Sequence, residues 1–191
     1  MQFKSLIPCL MVLGFLASPV LAGEGRARID ITASTGKLDF VQSENKKIKI
    51  SNADWIKDEE KKARYITSDL TVSDEKWTKV TLEVTPSEDA KLNLVLRGQW
   101  SKTKMNWAYF DDVSIEGAEI KNGGFEEPGK WRFSKSQQIL DESLAHSGKG
   151  AVLVWHNKSA SQAVTVKGGV PLKITAWVKF CKQEDQAPPA E

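Results

Sequence analysis

Two kinds of side chain in this 191-residue chain are spaced to do chemistry: carboxylates around a glycine break, and tryptophans beside polar loops. The carboxylates lie in 109–127, YFDDVSIEGAEIKNGGFEE, with Asp111 and Asp112 before Asn122-Gly123-Gly124 and Glu126 and Glu127 after it. Residues 109–116 alternate as a strand, which places Asp111 on the same face as Val113 and Ile115. A carboxylate on a core-facing row needs a partner, and a cation can be that partner. Asn122, Gly123 and Gly124 then break the chain with residues that accept positive φ. The tryptophans number seven against only two tyrosines. Trp100 and Trp107 flank a polar loop, 99–106, and Trp155 precedes His156 and Asn157. A flat indole beside hydrogen-bonding groups suits the C–H face of a sugar ring. Trp100, Trp107, Trp155 and Asn157 are therefore candidate ligand-binding residues, and Trp55 is a further indole with no evident core role. Trp107 also shares a face with Tyr109 and Val113, which favours its burial.

The same residues make poor catalysts. Neighbours on a strand point to opposite faces, so Asp111-Asp112, Glu126-Glu127 and Glu59-Glu60 do not form acid/base pairs by themselves. His146 and His156 lack the close spacing and cysteine partner of a zinc motif. Ser159 near His156 is no nucleophile elbow, and the Gly-Gly pairs read as turns rather than phosphate loops. Cys181 has no histidine beside it. The chain is not expected to be an enzyme.

The elements that must position these residues read as short strands. Alternation is clearest in 28–33 (RIDITA), 46–50 (KKIKI), 77–85 (WTKVTLEVT), 90–97 (AKLNLVLR), 161–166 (SQAVTV) and 172–180 (LKITAWVKF). Shorter candidates are 38–42, 65–71, 130–133, 137–140 and 151–155, with turns at 34–36, 86–89 and 146–150. Only 54–64, DWIKDEEKKAR, has helical composition, its acids preceding its bases as the helix dipole prefers. Many strands at this spacing predict an all-β sandwich of two antiparallel sheets.

The ends of the chain and its charge narrow the setting. Lys4, the apolar run 6–16 and the small residues up to Ala22 have the form of a secretory signal peptide, 1–22, cut after Ala22. The run is too short for a membrane span. A domain over 23–182 and a disordered, Pro-rich tail over 183–191 follow, in a secreted or periplasmic protein. Cys9 would leave with the signal, so Cys181 has no partner for an internal disulfide. With 27 Lys and Arg against 25 Asp and Glu, the chain has no electrostatic footprint for nucleic acid, and no membrane insertion is expected.

NGGFEEPGKW at 122–131, HSGKGAVLV at 146–154 and QAVTVKGGVPLKITAWVKF at 162–180 resemble the opening strands of carbohydrate-binding modules of families 4, 9 and 22. WTKVTLEVTPSEDAKLNLVLRG at 77–98 and YFDDVSIEG at 109–117 resemble their closing strands. Here the closing part comes first. The resemblance implies a jelly-roll β-sandwich of the galactose-binding-like type with a circularly permuted strand order. The new ends would fall between the strands of Phe180 and Arg28, and 118–121 would join the old ones. A domain-swapped dimer would satisfy the same pairing.

The resemblance also implies a function and a metal. The function is non-catalytic binding of a polysaccharide or other glycan, with a structural or adhesive envelope sandwich as the alternative. The metal is a structural calcium held by the side chains of Asp111 and Glu126, with carbonyls from Gly124 and from the turn carrying Ser147 and Lys149. Asp112 replaces Asp111 if a bulge shifts the strand. Trp77, Trp131 and Trp177 match positions where those modules carry structural tryptophans.

Overall fold

Apolar side chains at every second position, most of them β-branched or leucine, draw the chain into strands that bury one face and wet the other. The computed structural model describes residues 23–102 and 105–181. The expected signal peptide, 1–22, and the tail, 183–191, lie outside the described residues.

Two antiparallel sheets result. Strands β1 (Glu24–Ala33), β3 (Ile48–Asn52), β4 (Tyr65–Ser73), β6 (Ala90–Gly98) and β10 (Ala160–Val166) form a five-stranded sheet in the order β10-β6-β1-β4-β3. Strands β2 (Leu38–Phe40), β5 (Thr78–Pro86), β7 (Ala108–Glu116), β8 (Gln138–Leu140), β9 (Gly150–Val154) and β11 (Leu172–Phe180) form a six-stranded sheet, β2-β5-β11-β7-β9-β8. Ile29 and Ile31, the leucines 92, 94 and 96, and Leu82, Phe110 and Ile174 meet between the sheets in one core. Each such side chain contributes about 1.5–3 kcal/mol by leaving water. The chain is an all-β sandwich, as its alternation predicts.

The segments before and after the glycine break interleave. Strand β6 pairs with β10, and β7 lies between β11 and β9. Strands β1 and β11 belong to different sheets but touch near the two ends of the described residues. The ring of Phe180 packs on Gly25, where a Cβ would stand 1.8 Å from a ring carbon.

Four expectations change. Helix α1 covers only Glu59–Ala63, begun by the Asp58 side chain accepting from the amides of Glu60 and Lys61; the rest of 54–64 is turn or irregular chain. Residues 130–133 make only a single bridge, Arg132 to Ser161, because the segment closes a loop rather than running along a neighbour.

Asp111 is not on the face of Val113 and Ile115. Thr175 of β11 opposes Ser114 while Trp177 opposes Asp111, so β7 carries one extra residue there. Asp112 absorbs this bulge with φ of 47°. Phe110, Val113 and Ile115 then turn to the core, while Tyr109 joins Trp107 and Cys181 in a second, smaller cluster.

Finally, the positive φ values at the break belong to Asn122 (51°) and Phe125 (55°), not to Gly123 or Gly124. Gly123 is needed for another reason: a Cβ there would stand 1.8 Å from the carbonyl oxygen of Val113, whose amide donates to the Gly123 carbonyl at 3.0 Å.

Candidate functional site

The alternation that buries Ala27, Ile29 and Ile31 of β1 sends Arg26, Arg28 and Asp30 to the outer face of the five-stranded sheet. Register brings them partners. Arg28 lies directly between Asp69 of β4 and Arg97 of β6. Asp30 is fully buried although it points away from the core. Its carboxylate accepts from the Thr67 hydroxyl at 2.7 Å and from Arg97 Nε at 2.7 Å, and Arg97 Nη2 donates to it as well. Arg97 Nη2 also donates to the Tyr65 hydroxyl at 3.2 Å. Burial, and then the negative charge of Asp30, push the Tyr65 phenol up to about 12. Arg28 Nη2 lies 3.0 Å from Asp69, and its guanidinium sits 5.1 Å from the centre of the Trp55 ring. Trp55 meets Tyr65 edge-on at 5.9 Å.

Two indoles stand at this face with most of their surface open: Trp55 is 55% exposed and Trp100 56%. Trp100 lines a depression of about 410 Å³ with Glu24, Arg26 and Thr71. On its other side it shares one of about 320 Å³ with Met105, Trp155 and His156. Asn106 holds the loop in place: its Nδ2 donates to the Gln99 carbonyl at 2.9 Å and its Oδ1 accepts from the Arg26 amide at 3.3 Å. Burial, and then the positive charges of Arg97 and Arg28, hold His156 below the usual histidine range.

Of the expected ligand residues, the structure thus brings Trp100 and Trp155 to one depression. Trp107 is buried and stacks on Trp155, centroids 6.0 Å apart and planes at 25°, so it backs the site rather than lining it. Asn157 opens instead into a neighbouring groove of about 740 Å³ with Asn93, Arg132 and Ser161. Sequence reasoning missed Arg28, Asp30, Tyr65 and Arg97. The pattern R-I-D-I-T does put Arg28 and Asp30 on one face, but their partners come from strands about 40 and 70 residues downstream.

A second cluster pins the turn before β9. Asp111 Oδ2 accepts from the amides of His146 (2.8 Å) and Ser147 (3.1 Å), and its Oδ1 from the amide of Asp112 (2.6 Å). Burial pushes the Asp111 carboxyl up to about 6, against the pull of these amides. Asp112 takes His146 Nδ1 at 2.6 Å and the Ser147 hydroxyl at 2.8 Å. Glu126 accepts from the amides of Lys149 (2.9 Å) and Gly150 (3.1 Å). The His146 ring stacks on Trp177 at 3.8 Å and meets Trp77 edge-on at 5.7 Å. Trp131, by contrast, is core: it packs on Phe125 at 5.1 Å and donates Nε1 to the carbonyls of Lys121 and Asn122.

This donor set does not fit the expected calcium. Ser147 and Lys149 turn their amides, not their carbonyls, toward the carboxylates. The Gly124 carbonyl packs against Gly150, where a Cβ would stand 2.5 Å away. Beside Gly124 the acid that approaches Glu126 is Asp112, each 3.8 Å from where a Gly124 Cβ would be. N–H donors repel a cation, so the carboxylate oxygens held by these amides are not presented to one. The cluster as it stands is a clasp closed by the chain's own amides.

Comparison with protein-family models, with curated proteins and with solved structures finds no match. Among the described residues no helix is long and apolar enough to cross a membrane.

Proposed function

We propose that the protein is a non-catalytic carbohydrate-binding sandwich and that a glycan lies on the outer face of the five-stranded sheet, between Trp55 and Trp100. One observation carries this reading: two indoles on one face, each more than half exposed, beside guanidinium groups already held in place. Leaving large apolar rings in water is unfavourable unless something covers them, and a sugar ring covers an indole while its hydroxyls reach the neighbouring polar groups. Donors fixed before binding lose little entropy when the ligand arrives. The resemblance of 77–98, 109–117, 122–131, 146–154 and 162–180 to carbohydrate-binding modules supports the same reading. It also extends the proposal to a permuted jelly roll in an exported protein. The calcium implied by that resemblance is left out, because the donor set does not fit it.

The test is tryptophan fluorescence and gel retardation with a panel of soluble polysaccharides. Trp100→Ala and Trp55→Ala should each weaken binding by about 1–2 kcal/mol, roughly 5- to 30-fold. Trp107→Ala should instead destabilise the fold by about 3–5 kcal/mol, as loss of a buried ring does. No response to any glycan would leave a structural or adhesive sandwich as the reading.

A further inference from the structure

Resting on the carbohydrate-binding reading, we infer that the glycan is anionic: a chain of acidic sugars whose charged groups meet Arg26, Arg28 and Arg97 while ring faces lie on Trp55 and Trp100.

Cations outnumber carboxylates on this face: Arg26, Arg28, Arg97 and Lys49 stand against Glu24, Asp30 and Asp69. Asp30, its deepest carboxylate, is fully buried and already accepts from Thr67 and Arg97. Asp69 is held by Arg28. The guanidinium groups are used only in part. Arg97 places Nε and Nη2 on Asp30 and Tyr65, and Arg28 places Nε and Nη2 on Asp69. A guanidinium carries five N–H donors, so each arginine keeps its Nη1 donors without an acceptor among these residues. The two side chains are 23% and 16% exposed, which leaves an edge of each open to a ligand. Arg26, one strand step away on the same face, is exposed beside Trp100.

A neutral sugar hydroxyl donates as well as accepts, so it matches the open guanidinium edges less fully than an acceptor-only group. A carboxylate or sulfate oxygen only accepts, which matches what the arginines have left. The local field has the matching sign. Burial first, and then the positive charges of Arg97 and Arg28, make nearby His156 hold its proton less tightly, against the opposite pull of Asp30. Lys49 extends the positive row at its far side, opposite Asp69 on the neighbouring strand. Since the whole chain carries a formal charge of only +2, attraction to anions is a property of this face and not of the molecule.

The experiment compares polygalacturonate, its fully methyl-esterified form, a sulfated polysaccharide and poly-glutamate, each titrated against the wild-type chain and against Arg26→Gln and Trp100→Ala. At least one charged polysaccharide should bind tenfold or more tighter than both the ester and poly-glutamate. Arg26→Gln, an exposed change that leaves the buried pair intact, should weaken that binding about tenfold and leave the urea midpoint unmoved. Equal binding of the ester overturns the charge proposal and leaves the carbohydrate reading standing. Equal binding of poly-glutamate, with no effect of Trp100→Ala, overturns both, as does a failure of every polysaccharide to bind.

Discussion

Arg97 Nε lies 2.7 Å from the carboxylate of Asp30, a residue fully buried on the side of its sheet that faces away from the core. Removing Arg97 leaves the buried carboxylate with only the Thr67 hydroxyl and the more distant Arg28, 4.0 Å away, which costs at most the roughly 3–5 kcal/mol of a fully unpaired buried charge. Arg97→Met should therefore lower stability by up to that amount in urea unfolding. The double variant Asp30→Leu with Arg97→Met should recover part of that loss but not all of it, because the buried Thr67 hydroxyl is left without its acceptor. An Arg97→Met midpoint equal to wild type would mean that the pair is not the anchor of this face.

Asp111 sets a pH dependence with a definite sign. Its carboxyl titrates at about 6 in the folded chain against an ordinary value of 3.8, so folding raises its pKa. The folded state then binds the proton more tightly than the unfolded state. The stability this contributes is complete below about pH 4 and is lost as the pH rises through about 6. Relative to wild type, Asp111→Asn should show a flatter decline over that interval, read by chemical unfolding at pH 4, 5, 6 and 7. Parallel curves would place the Asp111 pKa near its ordinary value.

The carboxylate clasp should work without a metal. Chelator is expected to leave the melting temperature unchanged within about 1 °C. Glu126→Ala, which frees the amides of Lys149 and Gly150 at an exposed site, should cost about 1 kcal/mol. A fall of several degrees on chelation that disappears in Glu126→Ala would instead establish the calcium that the resemblance implies.

Neighbouring glycines at the break should respond differently. An alanine at Gly123 drives a methyl into the Val113 carbonyl, 1.8 Å away, and should cost about 1–3 kcal/mol as β7 is pushed back. At Gly124 the nearest atom is 3.7 Å away and belongs to the flexible Glu126 side chain, so Gly124→Ala should change stability by less than about 1 kcal/mol. Comparable effects at both positions would show that the backbone contact is not what Gly123 protects.

The sandwich was legible because period-two alternation is a local signal. Leu92, Leu94 and Leu96, or Val80, Leu82 and Val84, declare their inner face without knowing which strand lies beside them. That signal fails where one residue is added. YFDDVSIE allows a bulge without fixing it: the register against β11 adds the extra residue, and Asp112 takes the left-handed region with its carboxylate on the Ser147 hydroxyl. The same limit hid the candidate site. Trp100 was visible as an indole beside a polar loop, but the arginines beside it read as ordinary strand residues.

By itself, the sequence determined the class of fold and most of the strands. These follow from side-chain chemistry repeated at fixed spacing along the chain. Only the tertiary structure decided the partners. It joined Arg28, Asp30 and Arg97 from strands far apart in the chain, turned Asp111 away from the core, and set amides rather than carbonyls against Asp111 and Glu126. Register and backbone direction arise from how strands pair across long loops, and no local pattern of residues encodes them.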